Sequence, residues 1–149
     1  MFPIQEEELI TLIPQKMPFV FIGALLEVSD SHAISSFTIA DNNILCENGK
    51  LTVAGLIENI AQTAAAKTGF ECMQQNKKVR IGFIGDVRDF IYSCQPKVGE
   101  EITTQVVITN KIFDVTLISG IVKLNGKGIA SCKMKIFEEH ENNFPKQPA

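Results

Sequence analysis

The sequence predicts an α+β domain in which an antiparallel sheet wraps around one long central helix, and three observations carry that expectation. The elements run as two strands, one long helix, and then three or four strands with no further helix. The long helix is apolar around most of its circumference and rich in alanine, so neighbouring structure must enclose it. At 149 residues the chain suits one ordinary domain, residues 1–149, and is too short for two comfortable ones.

The elements follow in order. Glu6 to Ile13 combine an acidic first turn with apolar Leu9, Ile10, Leu12 and Ile13, a pattern for a short helix stopped by Pro14. Phe19 to Val28 and Ala33 to Ala40 are aromatic, aliphatic and β-branched, and Ser29, Asp30 and Ser31 between them favour a turn. An antiparallel strand pair is expected there. The polar stretch DNNILCENGK, residues 41–50, then gives way to the principal helix, VAGLIENIAQTAAAKTGFECMQQ, with Thr52 as its N-cap. Beyond it, Val79 to Ser93, Glu101 to Phe113, Val115 to Leu124 and Gly128 to Phe137 read as strands. Asn125-Gly126 marks a two-residue hairpin, since both residues tolerate positive φ. Residues 140–149, with Pro145 and Pro148, are expected to form a loose tail.

Composition narrows the function classes. With 45% hydrophobic and 21% charged residues the chain should fold. A formal net charge of -3, with Lys and Arg scattered, provides no field for nucleic acid. Cys46, Cys72, Cys94 and Cys132 form no CxxC pair and have no histidines at ligand spacing, so neither a metal nor a disulfide framework is expected, and a cytoplasmic location fits. The acidic N-terminal segment and the lack of any apolar run of about 18 residues argue against a signal peptide and a membrane span. No cofactor is implied.

Three segments resemble the 3-hydroxyacyl-acyl-carrier-protein dehydratases, from about residue 5 to 138. LIPQKMPFVFIGALLEV is similar to that family's opening, GLIENIAQTAAA to its central-helix segment with an acidic residue followed by Ala-Gln (Glu58, Ala61, Gln62), and RIGFIGDVRDFIYSCQPKVGEEI to the strand and Pro-Gly loop after the helix. Within the family, the compact CENGKLTVAGLIE most resembles the short-loop branch associated with aryl-polyene and pigment clusters. The resemblance implies the hotdog fold and an acyl group carried as a thioester on acyl carrier protein or coenzyme A. It implies dehydration of a 3-hydroxyacyl thioester to the 2-enoyl thioester, by a histidine base and an acidic residue drawn from two subunits. The chain departs from the pattern at the base. Residues 45–51 have no histidine where many members carry one, Gln15 stands where many relatives have another, and His32 and His140 match no catalytic position.

Candidate residues follow from chemistry. Glu58 interrupts an apolar helix, and a carboxylate enclosed there must be protonated, paired or hydrogen-bonded. It is the first-choice general acid, unless it lies on a solvated polar stripe. Gln62, one turn later on the same face, either orients Glu58, holds a substrate oxygen or serves as a structural amide. Gly55 can expose backbone N–H groups to a thioester carbonyl or simply permit close packing. Cys46 sits in the loop where the base is missing and reads as a substrate-side residue or a small apolar filler; Glu47 and Asp41 are possible carboxylate bases or solvated acids. Arg88 can meet an acidic carrier or its phosphate, or form a surface ion pair.

An open sheet edge predicts a dimer, simplest as a homodimer, whose sheets join and whose interface holds the acyl tunnels. A heterodimer with a second hotdog protein would let the partner supply the base opposite Glu58. Three functions follow: a hydro-lyase, a thioesterase using Glu58 or a loop acid to activate water, or a noncatalytic acyl-binding partner subunit. Loss of a placed base lowers the rate by about 10² to 10⁴.

Overall fold

The structure is a computed structural model that describes residues 1–139; the expected C-terminal tail and His140 lie outside the described residues. A short strand β1 (Ile4–Gln5) leads into α1 (Glu6–Ile10), then β2 (Ala24–Val28) and β3 (His32–Thr38). A small hairpin, β4 (Cys46–Glu47) and β5 (Lys50–Leu51), precedes α2 (Val53–Gln74). Four long strands complete the described chain: β6 (Ile81–Tyr92), β7 (Glu101–Ile112), β8 (Val115–Leu124) and β9 (Lys127–Glu139).

Seven strands form one antiparallel sheet in the order β1-β2-β3-β7-β8-β9-β6. β6 therefore leaves the helix, crosses to the far edge, and pairs only with β9. The β8–β9 hairpin turns on Asn125 (φ 51°) and Gly126 (φ 80°), the left-handed pair that the dipeptide predicts. The hairpin β4–β5 was not expected. Its turn is Asn48-Gly49, also at positive φ, set in a stretch whose strands are only two residues long.

Thr52 caps α2 as expected, its hydroxyl accepting from the Gly55 N–H at 3.4 Å. The helix is enclosed as its alanines require. Leu56, Ile60 and Ala64 pack with Val106, Ile118 and Val122 of the sheet, while Ala66 joins Leu9, Leu12, Ile13, Ile22 and Leu25 in a second cluster under the N-terminal segment. Two glycines set the closeness of these contacts. A Cβ on Gly120 would come within 2.5 Å of the Ile60 side chain, and one on Gly69 within 1.8 Å of the Leu12 carbonyl oxygen.

Two boundaries differ from expectation. α1 stops at Ile10, before Pro14, because residues 11–14 turn into the core. Residues 19–23 resemble a strand in sequence but join no ladder. Phe21 instead spends both of its backbone groups on side chains of α2: its N–H donates to Gln62 Oε1 at 2.7 Å, and its carbonyl accepts from Asn59 Nδ2 at 2.7 Å.

Candidate functional site

Between α2 and the concave face of the sheet lies a cavity of about 270 Å³. On the helix, Glu58, Ala61, Ala65 and Thr68 face it at spacings of three and four residues, the stripe of one helical face. On the sheet, Val106 and Ile108 of β7, Thr116 and Ile118 of β8, and Ile136 and Glu138 of β9 face it at the two-residue spacing of a strand. Gly82, Phe83 and Ile84 of the edge strand β6 close one side, and the exposure of Phe83 and Ile84 shows that this side opens towards the sheet edge. The walls are apolar in the middle and polar at both ends.

At one end is Glu58, half-buried, its Oε2 accepting from Gln62 Nε2 at 3.2 Å. Gln62 is fully buried because its other bonds are structural: Nε2 also donates to the Phe19 carbonyl at 2.9 Å, and Oε1 takes the Phe21 N–H. Among the three alternatives drawn from the sequence, the structure places Gln62 as an anchor of residues 19–21 that also orients Glu58. Its neighbour Asn59, 0% exposed, continues the clamp, with Oδ1 accepting from Thr104 Oγ1 at 2.5 Å. Among the described residues, the hydrogen bond found on the Glu58 carboxylate is this one, on Oε2.

At the other end, ten residues or ~15 Å along the helix axis, Thr68 donates to Glu138 Oε1 at 3.4 Å. Thr116 donates to the same oxygen at 3.4 Å, and Arg80 donates to Oε2 at 3.3 Å. Glu138 is only 8% exposed, and this triple contact is what keeps its carboxylate tolerable there. Lys67, 2% exposed, pairs with Glu71 one turn on. These groups were not singled out from the sequence; the one signal was the i,i+4 Lys-Glu spacing within an otherwise apolar helix.

The other sequence candidates lie outside this cavity. Gly55 is buried against Leu51, where an added Cβ would meet the Leu51 side chain at 2.3 Å, and its N–H is held by Thr52. Cys46 lies in β4, half-buried, its thiol directed at the Ala40 carbonyl at 3.7 Å, and burial raises its pKa above the ordinary thiol value, which works against reactivity. Arg88 projects from β6 into solvent and bonds Asp86 at 2.6 Å, as residues two apart on one strand face can. Asp41 is exposed in the turn after β3, and Glu47 is exposed at the end of β4. His32 contacts Ser29 Oγ at 2.6 Å and Glu27 Oε2 at 3.1 Å, and no histidine lines the cavity among the described residues. Gln15 does line it.

A seven-stranded antiparallel sheet curled over one long helix, with an apolar cavity between them, is the hotdog fold. The chain belongs to the ApeP-like family, described as ApeP dehydratase, whose model matches residues 7–146. Solved structures agree on the fold. A chain of the dehydratase heterocomplex ApeI:P from Xenorhabdus doucetiae superposes with a TM-score of 0.83 at 16% identity, covering 90% of this chain and 92% of that one. A hypothetical thioesterase protein with coenzyme A from Streptococcus pneumoniae TIGR4 gives 0.60 at 11% identity, covering 77% and 84%. The protein smu.793 from Streptococcus mutans UA159 bound to acetyl CoA gives 0.60 at 10% identity, covering 77% and 86%. No match is found among curated protein sequences. Among the described residues no helix is long and apolar enough to cross a membrane.

Proposed function

We propose that this chain supplies the acidic half of a two-subunit dehydratase acting on a 3-hydroxyacyl thioester. The observation that carries the reading is Glu58: a carboxyl group at the mouth of an apolar cavity, oriented by Gln62. In the reaction a base removes the C2 proton, the C2–C3 double bond forms, the C3–O bond breaks, and protonated Glu58 gives its proton to the departing hydroxyl, which leaves as water. The cavity excludes water from the acyl chain and holds it beside that carboxyl.

The base comes from a second hotdog subunit. Support lies in the edge strand β6, twelve residues long, unpaired on its outer side and bearing exposed Phe83, Ile84, Ile91 and Tyr92. A long apolar edge of this kind invites a second sheet. Pairing there closes the open side of the cavity, since Phe83 and Ile84 line both. The heterocomplex from Xenorhabdus doucetiae provides a precedent for two such chains together. The thioester is carried on acyl carrier protein or coenzyme A, and the cytoplasm is the expected place of work.

The test is to incubate the purified chain with a 3-hydroxyacyl thioester of acyl carrier protein, alone and with a hotdog protein that has the family histidine, and to follow products by mass spectrometry. Binding without turnover alone, and enoyl product with the partner, is expected. Free thiol release would mark a thioesterase, and binding without turnover in both arms would mark a noncatalytic subunit. Phe83→Lys, which sets a charge on the β6 edge, should break the assembly on size-exclusion chromatography; an unchanged elution position would exclude β6 as the joining edge.

A further inference from the structure

We propose that β6 pairs antiparallel with β6 of a second copy of this chain, about a two-fold axis at Val87, and that Phe90 and Tyr92 of each copy close the open side of the other's cavity. The pattern along the strand carries the inference. Val87 and Phe90 pack against the core, Ile84 lines the cavity and Tyr92 pairs with core residue Ala130, so these four face inwards. Asp86 and Arg88 flank Val87 on the outer face, and Phe83 and Ile91, 51% and 68% exposed, lie three residues beyond each of them. The β6–β9 ladder shifts register at matching places, between Ile84 and Asp86 and between Arg88 and Ile91. An edge whose pattern reads the same from either end is what an isologous interface requires.

Antiparallel pairing about Val87 sets Asp86 opposite Arg88 of the second copy, twice over, with Cβ atoms about 5 Å apart. On the outer face it sets Phe83 opposite Ile91, and on the inner face Ile84 opposite Phe90 and Gly82 opposite Tyr92. A slip of two residues in one direction sets Asp86 against itself, and in the other Arg88 against itself, so charge fixes the register. Within one chain Arg88 reaches Asp86 through Nε at 2.6 Å, and its guanidinium, on a side chain 72% exposed, carries further N–H donors for the second copy.

The cavity is incomplete without this neighbour. Gly82 and Ile84 line it where it opens at the sheet edge. Gly82 has no side chain to cover that opening, and an aromatic ring set across from an edge glycine supplies the cover. Tyr92 is 52% exposed in the single chain and its ring lies 5.9 Å from that of Phe90, so the two rings form one wall. A histidine-bearing partner of the kind proposed above must take the place of one copy on this edge.

Tyr92 is the chain's single tyrosine and there is no tryptophan, so its fluorescence reports this contact alone. Light scattering should give the native chain the mass of a dimer at micromolar concentration, and acrylamide should quench Tyr92 at least about twofold less in that dimer than in dilute monomer. Asp86→Lys and Arg88→Glu each set like charges opposite one another and should each weaken dimerisation about 10-fold or more. Mixing the two variants restores opposite charges at both positions, which a contact within one chain cannot do, and should return the dimer mass. A monomeric native chain, or quenching that is the same in monomer and dimer, overturns the inference with no variant needed. Variants that dimerise as tightly as the native chain overturn it too, as does a mixture that stays monomeric while both variants keep their melting transitions. None of these readings uses a thioester, so the proposed dehydration stands or falls apart from them.

Discussion

Replacing Gln62 by leucine keeps the volume and removes the amide that ties residues 19–21 to α2. Phe21 is 2% exposed, so its N–H finds no water when Gln62 Oε1 is gone, and such an orphan costs ~1–3 kcal/mol. Phe19 is 58% exposed, so water can reach its carbonyl and that loss adds about 0.5–1 kcal/mol. The sum is ~1.5–4 kcal/mol, which for a chain of this size lowers the melting temperature by roughly 3–16 °C. Urea unfolding gives the first number, with the slope unchanged, and calorimetry the second. Hydrogen exchange adds a local readout, because the Phe21 amide should lose protection while the β7–β8 ladder keeps its own. A cost below about 1 kcal/mol would refute the idea that side-chain amides replace a strand partner here.

Two further outcomes follow from packing and burial. Gly69→Ala drives a Cβ towards the Leu12 carbonyl, which is backbone and cannot step aside, so a loss of at least ~2–3 kcal/mol is expected; Gly55→Ala meets the Leu51 side chain, which must repack within the core while the helix gains propensity, so it should cost less, about 1–2 kcal/mol, and equal effects in urea unfolding would contradict this. Burial pushes the Cys132 thiol up from 9.0 to about 11, so the folded chain holds that proton more tightly than the unfolded one. The stability from this group is whole below the unfolded pKa and fades as pH rises through the folded one, a loss of about 2–3 kcal/mol between those limits. Unfolding midpoints at about pH 8 and pH 11 should show that fall in the native chain and a smaller one in Cys132→Ala; parallel falls would show that other groups carry it.

The helix and the long strands were legible because local signals agree with the final fold. Thr52 caps α2, its alanines demand enclosure, and Asn125-Gly126 fixes a hairpin, each a short-range cause. Residues 19–23 were misread as strand because periodicity cannot tell that the ladder partner is a pair of side-chain amides forty residues away. The hairpin at Asn48-Gly49 carries the same dipeptide signal as the later turn, yet its strands are too short to show alternation.

For the site, Glu58 and Gln62 were visible because polar residues stand out against an apolar helix. Glu138, Arg80, Thr68 and Thr116 were not, since each belongs to a different element and only sheet closure brings them together. Arg88 was a reasonable anion ligand by type, and its Nε also pairs with Asp86 two residues before it, a partner that the sequence spacing allowed. Gln15 drew notice only as a missing histidine; its place in the cavity wall is a property of three-dimensional packing.

The most direct measurement of the central claim is single-turnover mass spectrometry of a carrier-bound 3-hydroxyacyl thioester in the presence of the histidine-bearing partner, comparing the native chain with Glu58→Gln. Loss of water from the native complex, slowed by about 10² or more when the carboxyl becomes an amide, is the predicted result. Dehydration at the same rate in both complexes would show that the proton reaches the departing hydroxyl from some other group.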